Sequence, residues 1–510
     1  MVNPIEGKIK HVVVLMFENR SFDHLMGAFP GVNGVLVDGS VNPALYNTMN
    51  PLIPPDAVSN TPVYPTPIDL SMQQVKTDFN HDFGNGMMND LFGPGTSGYL
   101  NGVPLTAPAT WPATNSGFLS TIATNDPGDP PNGPSVLYFF EYGQLQVFHQ
   151  LASEFVVCDN WHCDMPGHTK ANRGFMHCAT TGNLGIDDEA PGFQTSSTIF
   201  SLIEAQGYDW KMYTPNSAHL DSLWLSDIYS SPNTNIPISQ FCSDLQQGTL
   251  PFYSFLMCWS DGATVSTDTS MHPASMVQPA ENYLAAVYNE LQKSAYWEDT
   301  LLIVTFDENG GMYDHVVPPQ TVAPNPSQPI STTTYSGNPI EYQFDFTLLG
   351  VRIPVLLISP WLTKGAIDSS QYQNTSILNY LVALMTPTGV VQKHLTQRDE
   401  MAPTIATALE QYGLSEMRTD CPADIQGYPG FPLGPGSPGI CDPDALKPTA
   451  EALQQPPLAH MVNAAKEYFG GLPGHANSGE PFPKNFATNA GLLDYIKERK
   501  DAADKFMANK

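Results

Sequence analysis

Three stretches of the chain are apolar on both of their alternating faces: 9–17 (IKHVVVLMF), 300–306 (TLLIVTF) and 353–358 (IPVLLI). Short, β-branched-rich runs of this kind are how central parallel strands read, because helices cover both faces of such a sheet. A weaker run at 155–158 is a fourth candidate. Just ahead of the second strand, 281–297 (ENYLAAVYNELQKSAYW) sets Leu284, Val287, Tyr288 and Leu291 at helical spacing. That is an amphipathic helix feeding a strand. The alternation predicts an α/β sandwich with a mainly parallel central sheet and helices on both faces.

Between these elements the periodicity fades. Residues 30–134 and 318–337 are rich in Pro, Gly, Asn, Ser and Thr and read as long loop insertions. Loops of this length in a compact unit usually wall or cover a site. After about 443 the composition turns helical again (ALKPTAEALQQ, LLDYIKERKDAADKF). The expected organisation is one main unit over 1–442, with 30–134 inserted in it, and a helical appendage over 443–510.

Charge narrows the partners. The 510 residues hold 21 Lys+Arg against 50 Asp+Glu, a formal net charge of −29. Nucleic-acid binding needs clustered basic residues, so it is excluded as an expectation. Docking on a strongly anionic membrane by charge alone is excluded likewise. With 41% hydrophobic and only 14% charged residues, the chain is not of disordered composition. No apolar run reaches the ~18–20 residues of a membrane span. The N-terminus lacks the pattern of a secretory signal, which leaves a cytoplasmic location, a removed leader or another export route open. Seven cysteines leave at least one unpaired. Cys421 and Cys441 bracket a Pro/Gly-rich stretch and are the candidate disulfide, which would indicate an oxidising compartment.

The chemistry sits where the strands end. The first strand runs into Glu18-Asn19-Arg20-Ser21-Phe22-Asp23-His24, and the strand at 300–306 into Asp307-Glu308-Asn309-Gly310-Gly311, followed by Tyr313-Asp314-His315. Open parallel sheets bind ligands beyond the carboxyl ends of their strands. Carboxylates delivered there by two strands repel unless a cation lies between them, so Glu18, Asn19, Asp307 and Glu308 are candidate ligands of a divalent ion. An acidic residue after a strand also serves as a helix cap or turn former, and each cluster alone permits that reading. A third segment, Pro166-Gly167-His168-Thr169-Lys170-Ala171-Asn172-Arg173, puts the Thr169 hydroxyl at a loop-to-helix junction. A threonine hydroxyl becomes a nucleophile only when a base or metal removes its proton; otherwise it caps a helix.

Together, Glu-Asn-Arg-Ser-Phe-Asp-His, Thr-x-x-Asn-Arg and Asp-Glu-Asn-Gly-Gly-x-Tyr-Asp-His resemble the bacterial phosphatidylcholine-type phospholipase C and acid phosphatase superfamily, to which plant non-specific phospholipases C belong. The resemblance extends in fixed order from Lys8 to about Tyr380, through Leu250-Pro251, His272-Pro273 and Gly350-Val351-Arg352-Ile353-Pro354. It implies an alkaline-phosphatase-like sandwich. It also implies Thr169 as nucleophile and metal ligand, with Glu18, Asn19, Asp307 and Glu308 completing one or more divalent-metal sites for zinc, calcium or magnesium. His272 and His315 would be site histidines, His81 another, and Arg173 a further source of charge for the phosphoryl group. Two departures stand out: Ala171 replaces a frequent proline before Asn-Arg, and the surroundings of His81 match loosely.

The resulting expectation is a metal-dependent phosphoester hydrolase of phospholipase C type, acting through a phosphothreonine. It would cleave phosphatidylcholine-like lipids to diacylglycerol and a phosphorylated headgroup, with peripheral contact to zwitterionic membrane. Met87, Met88, Leu91 and Phe92 are candidate lipid contacts, unless their loop packs on its own core. An acid phosphatase acting on soluble monoesters is the alternative, and a non-catalytic calcium-binding interaction protein the rival outside the class.

Overall fold

The computed structural model describes residues 7–52, 60–68, 78–105, 114–125, 135–182, 186, 194–215, 221–228, 231–258, 266–325, 331–334 and 341–443. The proposed appendage, apart from its first residue, lies outside the described residues. The framework is an eight-stranded sheet whose strands, in chain order, are β1 (His11–Phe17), β2 (Val156–Cys158), β3 (Trp210–Thr214), β4 (Ile236–Pro237), β5 (Tyr253–Met257), β6 (Thr300–Phe306), β7 (Val355–Ile358) and β8 (Ile367–Asp368). Their spatial order is β4-β3-β5-β1-β6-β7-β2-β8. β1 lies between β5 and β6, parallel to both, and β6 is buried along its whole length. This burial is why neither strand alternates in polarity.

The sheet is mainly parallel, as the sequence implies, with one correction. β7, expected among the parallel strands, runs antiparallel to both β6 and β2. Periodicity cannot tell a buried parallel strand from a buried antiparallel one, because both are apolar on two faces.

Helices cover the sheet in two groups. Gln146–Glu154 packs on β2 and β7 and against Val277–Lys293, and Thr169–Cys178 packs against Ile199–Ala205 and Thr375–Met385. The long helix buries Leu284, Val287, Tyr288 and Leu291 as its spacing requires, but it starts earlier and stops sooner than 281–297. Ser294 ends it by accepting a hydrogen bond from the Tyr296 amide, and the chain tightens into the 3₁₀ turn Ala295–Asp299. Among the described residues no helix is long and apolar enough to cross a membrane.

The loop-rich insertion builds a second apolar cluster. Gly98–Leu100 and Val103–Leu105 join Glu341–Phe344 and Ser331–Thr334 in a four-stranded sheet. Against it lie the π-type helical stretch Phe83–Met88 and the turn Asn89–Phe92. Met87, Met88, Leu91 and Phe92 are wholly buried there, so they are core residues and not lipid contacts. The cysteine expectation is also corrected. Cys441 pairs with Cys242, on the helix Ile238–Gln247, across 199 residues, and Cys421 is a free thiol. Spacing along the chain carries no information about a helix brought in from so far away.

Candidate functional site

The register of β1 and β6 aligns Phe17 with Phe306, so Glu18 and Asp307 leave the sheet side by side. Asn19 follows in a left-handed conformation (φ 59°), which asparagine tolerates better than most residues. Its amide and that of Glu308 both donate to Asp307 Oδ1, at 3.1 and 2.8 Å. Gly310 then donates to Glu308 Oε2 at 2.5 Å. Gly310 and Gly311 are both left-handed (φ 62° and 66°), and a Cβ on Gly310 would stand 2.5 Å from the Asn19 carbonyl oxygen. Only glycine permits this close return of one strand end onto the other.

The third segment arrives over these carboxylates. Thr169 opens the helix Thr169–Cys178, with His168 as its cap. One turn on, Asn172 accepts from the Met165 amide (3.1 Å) and donates to the Gly167 carbonyl (2.9 Å), fixing the loop that presents Thr169. The Thr169 hydroxyl donates to Asn19 Oδ1 at 3.3 Å. Arg173, at i+4, shares the helix face of Thr169. Its Nε donates to Asp307, one terminal nitrogen to Asp221 and the other to Glu18, each at 3.0 Å. Its guanidinium is thus committed to three carboxylates of the site.

Two histidines close the other side. The Nδ1 of His81 is bonded to the Phe79 carbonyl (2.6 Å) and that of His272 to the Pro273 carbonyl (2.7 Å). The remaining ring nitrogens both meet Asn19 Nδ2 at 3.1 Å. Asn19 thus joins the hydroxyl, the two imidazoles and the strand-end acids. His168 pairs with Asp82 and lies against His81, with ring centroids 4.3 Å apart. Asp78, His81, Asp82 and His168 line a cleft of about 230 Å³ beside the site. Burial and the neighbouring His168 push His81 down to about 4. His272 moves up, because Asp78 and Glu18 outweigh its burial.

The acids test the site for a cation. Burial, with Asp307 beside it, pushes the Glu308 carboxyl well above the carboxylate range. Glu18 rises to about 7 through burial, which Arg173 opposes only in part, and Asp307 rises for the same reason. Glu308 Oε1 is buried without a hydrogen-bond partner and lies 3.4 Å from His81 Nε2. A surplus of buried carboxylate facing an amide oxygen, a hydroxyl and two imidazoles fits a divalent cation.

His315 stands elsewhere. Its backbone amide donates to Asp23 Oδ2 and its Nδ1 lies against the same oxygen, both at 2.7 Å, while Nε2 meets Asn33. None of these partners belongs to the group around Thr169, so the structure does not bring His315 together with the other expected residues. Conversely, the sequence reading missed Asp221, which holds Arg173 and His177, and no motif surrounds it. It also missed His168 and Asp82, although both flank residues that were singled out.

Residues 9–385 match the model of the Phosphoesterase family. Non-specific phospholipase C5 of Arabidopsis thaliana is 30% identical over 437 residues, covering 82% of this chain and 76% of that protein. Non-hemolytic phospholipase C of Burkholderia pseudomallei (strain K96243) is 27% identical over 428 residues, covering 74% of this chain and 55% of that protein. Among solved structures, a protein in the alkaline phosphatase superfamily from Vibrio parahaemolyticus is similar with a TM-score of 0.29 and 17% identity, over 50% of this chain and 63% of that one. The α/β assignment rests on the strand order and register above. The chain belongs to the Phosphoesterase family and is a phosphoric ester hydrolase.

Proposed function

We propose that the chain is a metal-dependent phospholipase C that cleaves phosphatidylcholine-like lipids through a phosphothreonine at Thr169. The observation that carries this reading is the Thr169 hydroxyl held by Asn19 above the ends of β1 and β6. Glu18, Asn19, Asp307, Glu308 and Thr169 would hold the cation. When bound, it supplies positive charge to the phosphoryl oxygens and lowers the pKa of the threonine hydroxyl.

The chain's own residues do the rest. Thr169 Oγ1, its proton released to solvent, bonds to phosphorus in line with the glycerol oxygen, whose bond to phosphorus breaks. His272 donates a proton to that oxygen, and diacylglycerol leaves. Water then attacks the phosphothreonine: its hydroxyl goes to phosphorus and releases the phosphorylated headgroup, its proton returns to His272, and Thr169 Oγ1 takes its proton back from solvent. His81, held neutral by burial, orients Asn19. Arg173 holds Glu18 and Asp307 apart from each other and in place.

The relatives named phospholipase C favour the lipid over a soluble monoester. The test compares hydrolysis of a choline phosphodiester with that of an aryl phosphate monoester, with and without chelator. Faster, chelator-sensitive turnover of the diester is expected, as is an acid-stable phosphocholine adduct on the Thr169 peptide. Preference for the monoester would make the enzyme a phosphatase. No turnover of either with metal present would sink both readings.

A further inference from the structure

The loop that carries His272 is bent twice against the preference of its residues. Met271 (φ 68°) and Ala274 (φ 34°) both adopt positive φ without being glycine. Left-handed φ is unfavourable for an ordinary residue and persists only where the surroundings impose it. Here the surroundings include Arg20, from the segment after β1. Its Nε donates to the Met271 carbonyl at 2.5 Å and a terminal nitrogen to the Ser275 carbonyl at 3.3 Å. These two carbonyls lie on either side of His272-Pro273. The second terminal nitrogen meets His24 Nε2 at 3.0 Å, and the Arg20 amide donates to the Glu308 carbonyl at 3.0 Å.

Arg20 is wholly buried, and among the described residues none of its side-chain hydrogen bonds goes to a carboxylate. A buried guanidinium normally takes a carboxylate partner. This one instead spends its planar fork on main-chain oxygens of a strained loop. Five N–H donors in fixed geometry let it grip two carbonyls at once, which an ammonium cannot do in the same way. From this geometry we infer that Arg20 is a positioning residue for the reaction, clamping the 271–275 loop so that His272 Nε2 stays on Asn19 beside Thr169. Its main chain links the same clamp to Glu308. The inference rests on the proposed role of His272 as proton donor.

The test is a double-mutant cycle between Arg20 and His272, read as kcat and KM on the choline phosphodiester, with thermal melting to verify folding. Arg20→Gln and Arg20→Lys are each expected to lower kcat about 100-fold, the scale of a misplacement of about 1 Å, while KM changes less than threefold. In the His272→Ala background the same substitutions are expected to lower the residual kcat by less than threefold, because the group they position is gone. Arg20→Lys keeps the buried charge and serves if Arg20→Gln does not fold. Equal losses in both backgrounds, or a folded Arg20→Lys with full kcat, would overturn the inference. Full activity of His272→Ala by itself would instead remove His272 from the mechanism.

Discussion

Two buried arginines, Arg173 and Arg352, are each ringed by carboxylates, and the rings differ in charge more than in geometry. Arg352 bonds Asp314 at 2.9 Å and Asp23 at 3.0 Å, and gives its other terminal nitrogen to the Asn33 and Asp159 carbonyls. His315 completes the ring on Asp23. Burial opposes the charged imidazole, but Asp23 and Asp314 raise its pKa, and in return His315 and Arg352 pull Asp23 down despite burial. With the imidazole protonated, two cations face two anions, and the ring is closed. It joins the segment after β1 to the one after β6 as a bracket.

Arg173 faces Glu18, Asp221 and Asp307, and Glu308 lies beside Asp307. Arg173, with His177 on Asp221, stands among four acids, three of them raised by burial, and Glu308 keeps a buried oxygen without a hydrogen bond. Similar arginine–carboxylate contacts therefore serve two ends. On the proposed function, the ring that closes holds strand ends together, and the ring with negative charge left over would take the cation and the phosphoryl group.

The sharpest way to break this contrast is at the hydroxyl that only the open ring holds. Thr169→Ala is expected to lower kcat by more than about 1,000-fold, as loss of a nucleophile does, with the melting temperature within about 2 °C of the parent. Retained turnover would remove Thr169 from the chemistry. Next comes the surplus charge. Glu308→Gln is expected to cost about 100-fold or more in activity, above the range for groups that only support a ligand. In chelator its melting temperature should rise above that of the parent, because the buried Glu308 carboxyl must take up a proton on folding, a cost the amide does not carry. A fall in that melting temperature would mean that the acid is satisfied without a cation.

The matching change in the closed ring should do the reverse. Arg352→Met strands Asp23 and Asp314 without a partner, and breaking a buried pair from one side costs about 3–5 kcal/mol. Denaturant unfolding with and without chelator should show this loss undiminished in both conditions. A loss that appears only in the presence of metal would place Arg352 in the cation site and erase the distinction.

How far the sequence showed this contrast is itself instructive. The acids at the ends of β1 and β6 were legible because buried strands announce themselves by composition, and whatever follows them must emerge beyond the sheet. Thr169, Asn19, His81 and His272 were legible through motifs, and the structure does gather them. The two rings were not separable. Asp23, Asp314 and His315 sit in the same motifs as Glu18, Asn19, Asp307 and Glu308, and adjacency in a turn does not say which way a side chain leaves it. Asp221 was illegible for a simpler reason: its value comes from Arg173 and His177, on a helix some 45 residues upstream. The reversed direction of β7 and the Cys242–Cys441 pairing were lost because composition is blind to chain direction and to distant partners.

The smallest expected effect tests whether the Arg352 ring is as balanced as its geometry implies. His315 is raised above its ordinary 6.5 in the fold, so its charge contributes stability that is fully present below about pH 6.5 and lost as pH rises through the folded value. Asp23 is depressed below its ordinary 3.8, so its contribution is present above that pH and lost as pH falls through the folded value. Asp314 is raised, mainly by burial, and its cost grows as pH climbs above 3.8. The ring is therefore most favourable in mildly acidic solution. His315→Asn keeps a hydrogen bond to Asp23 but carries no charge. Its loss of unfolding free energy relative to the parent should be larger at pH 6 than at pH 9. A difference that stays flat across that range would mean a neutral imidazole beside two carboxylates and one guanidinium. The Arg352 ring would then carry surplus negative charge as well, and charge balance would no longer separate the bracket from the site.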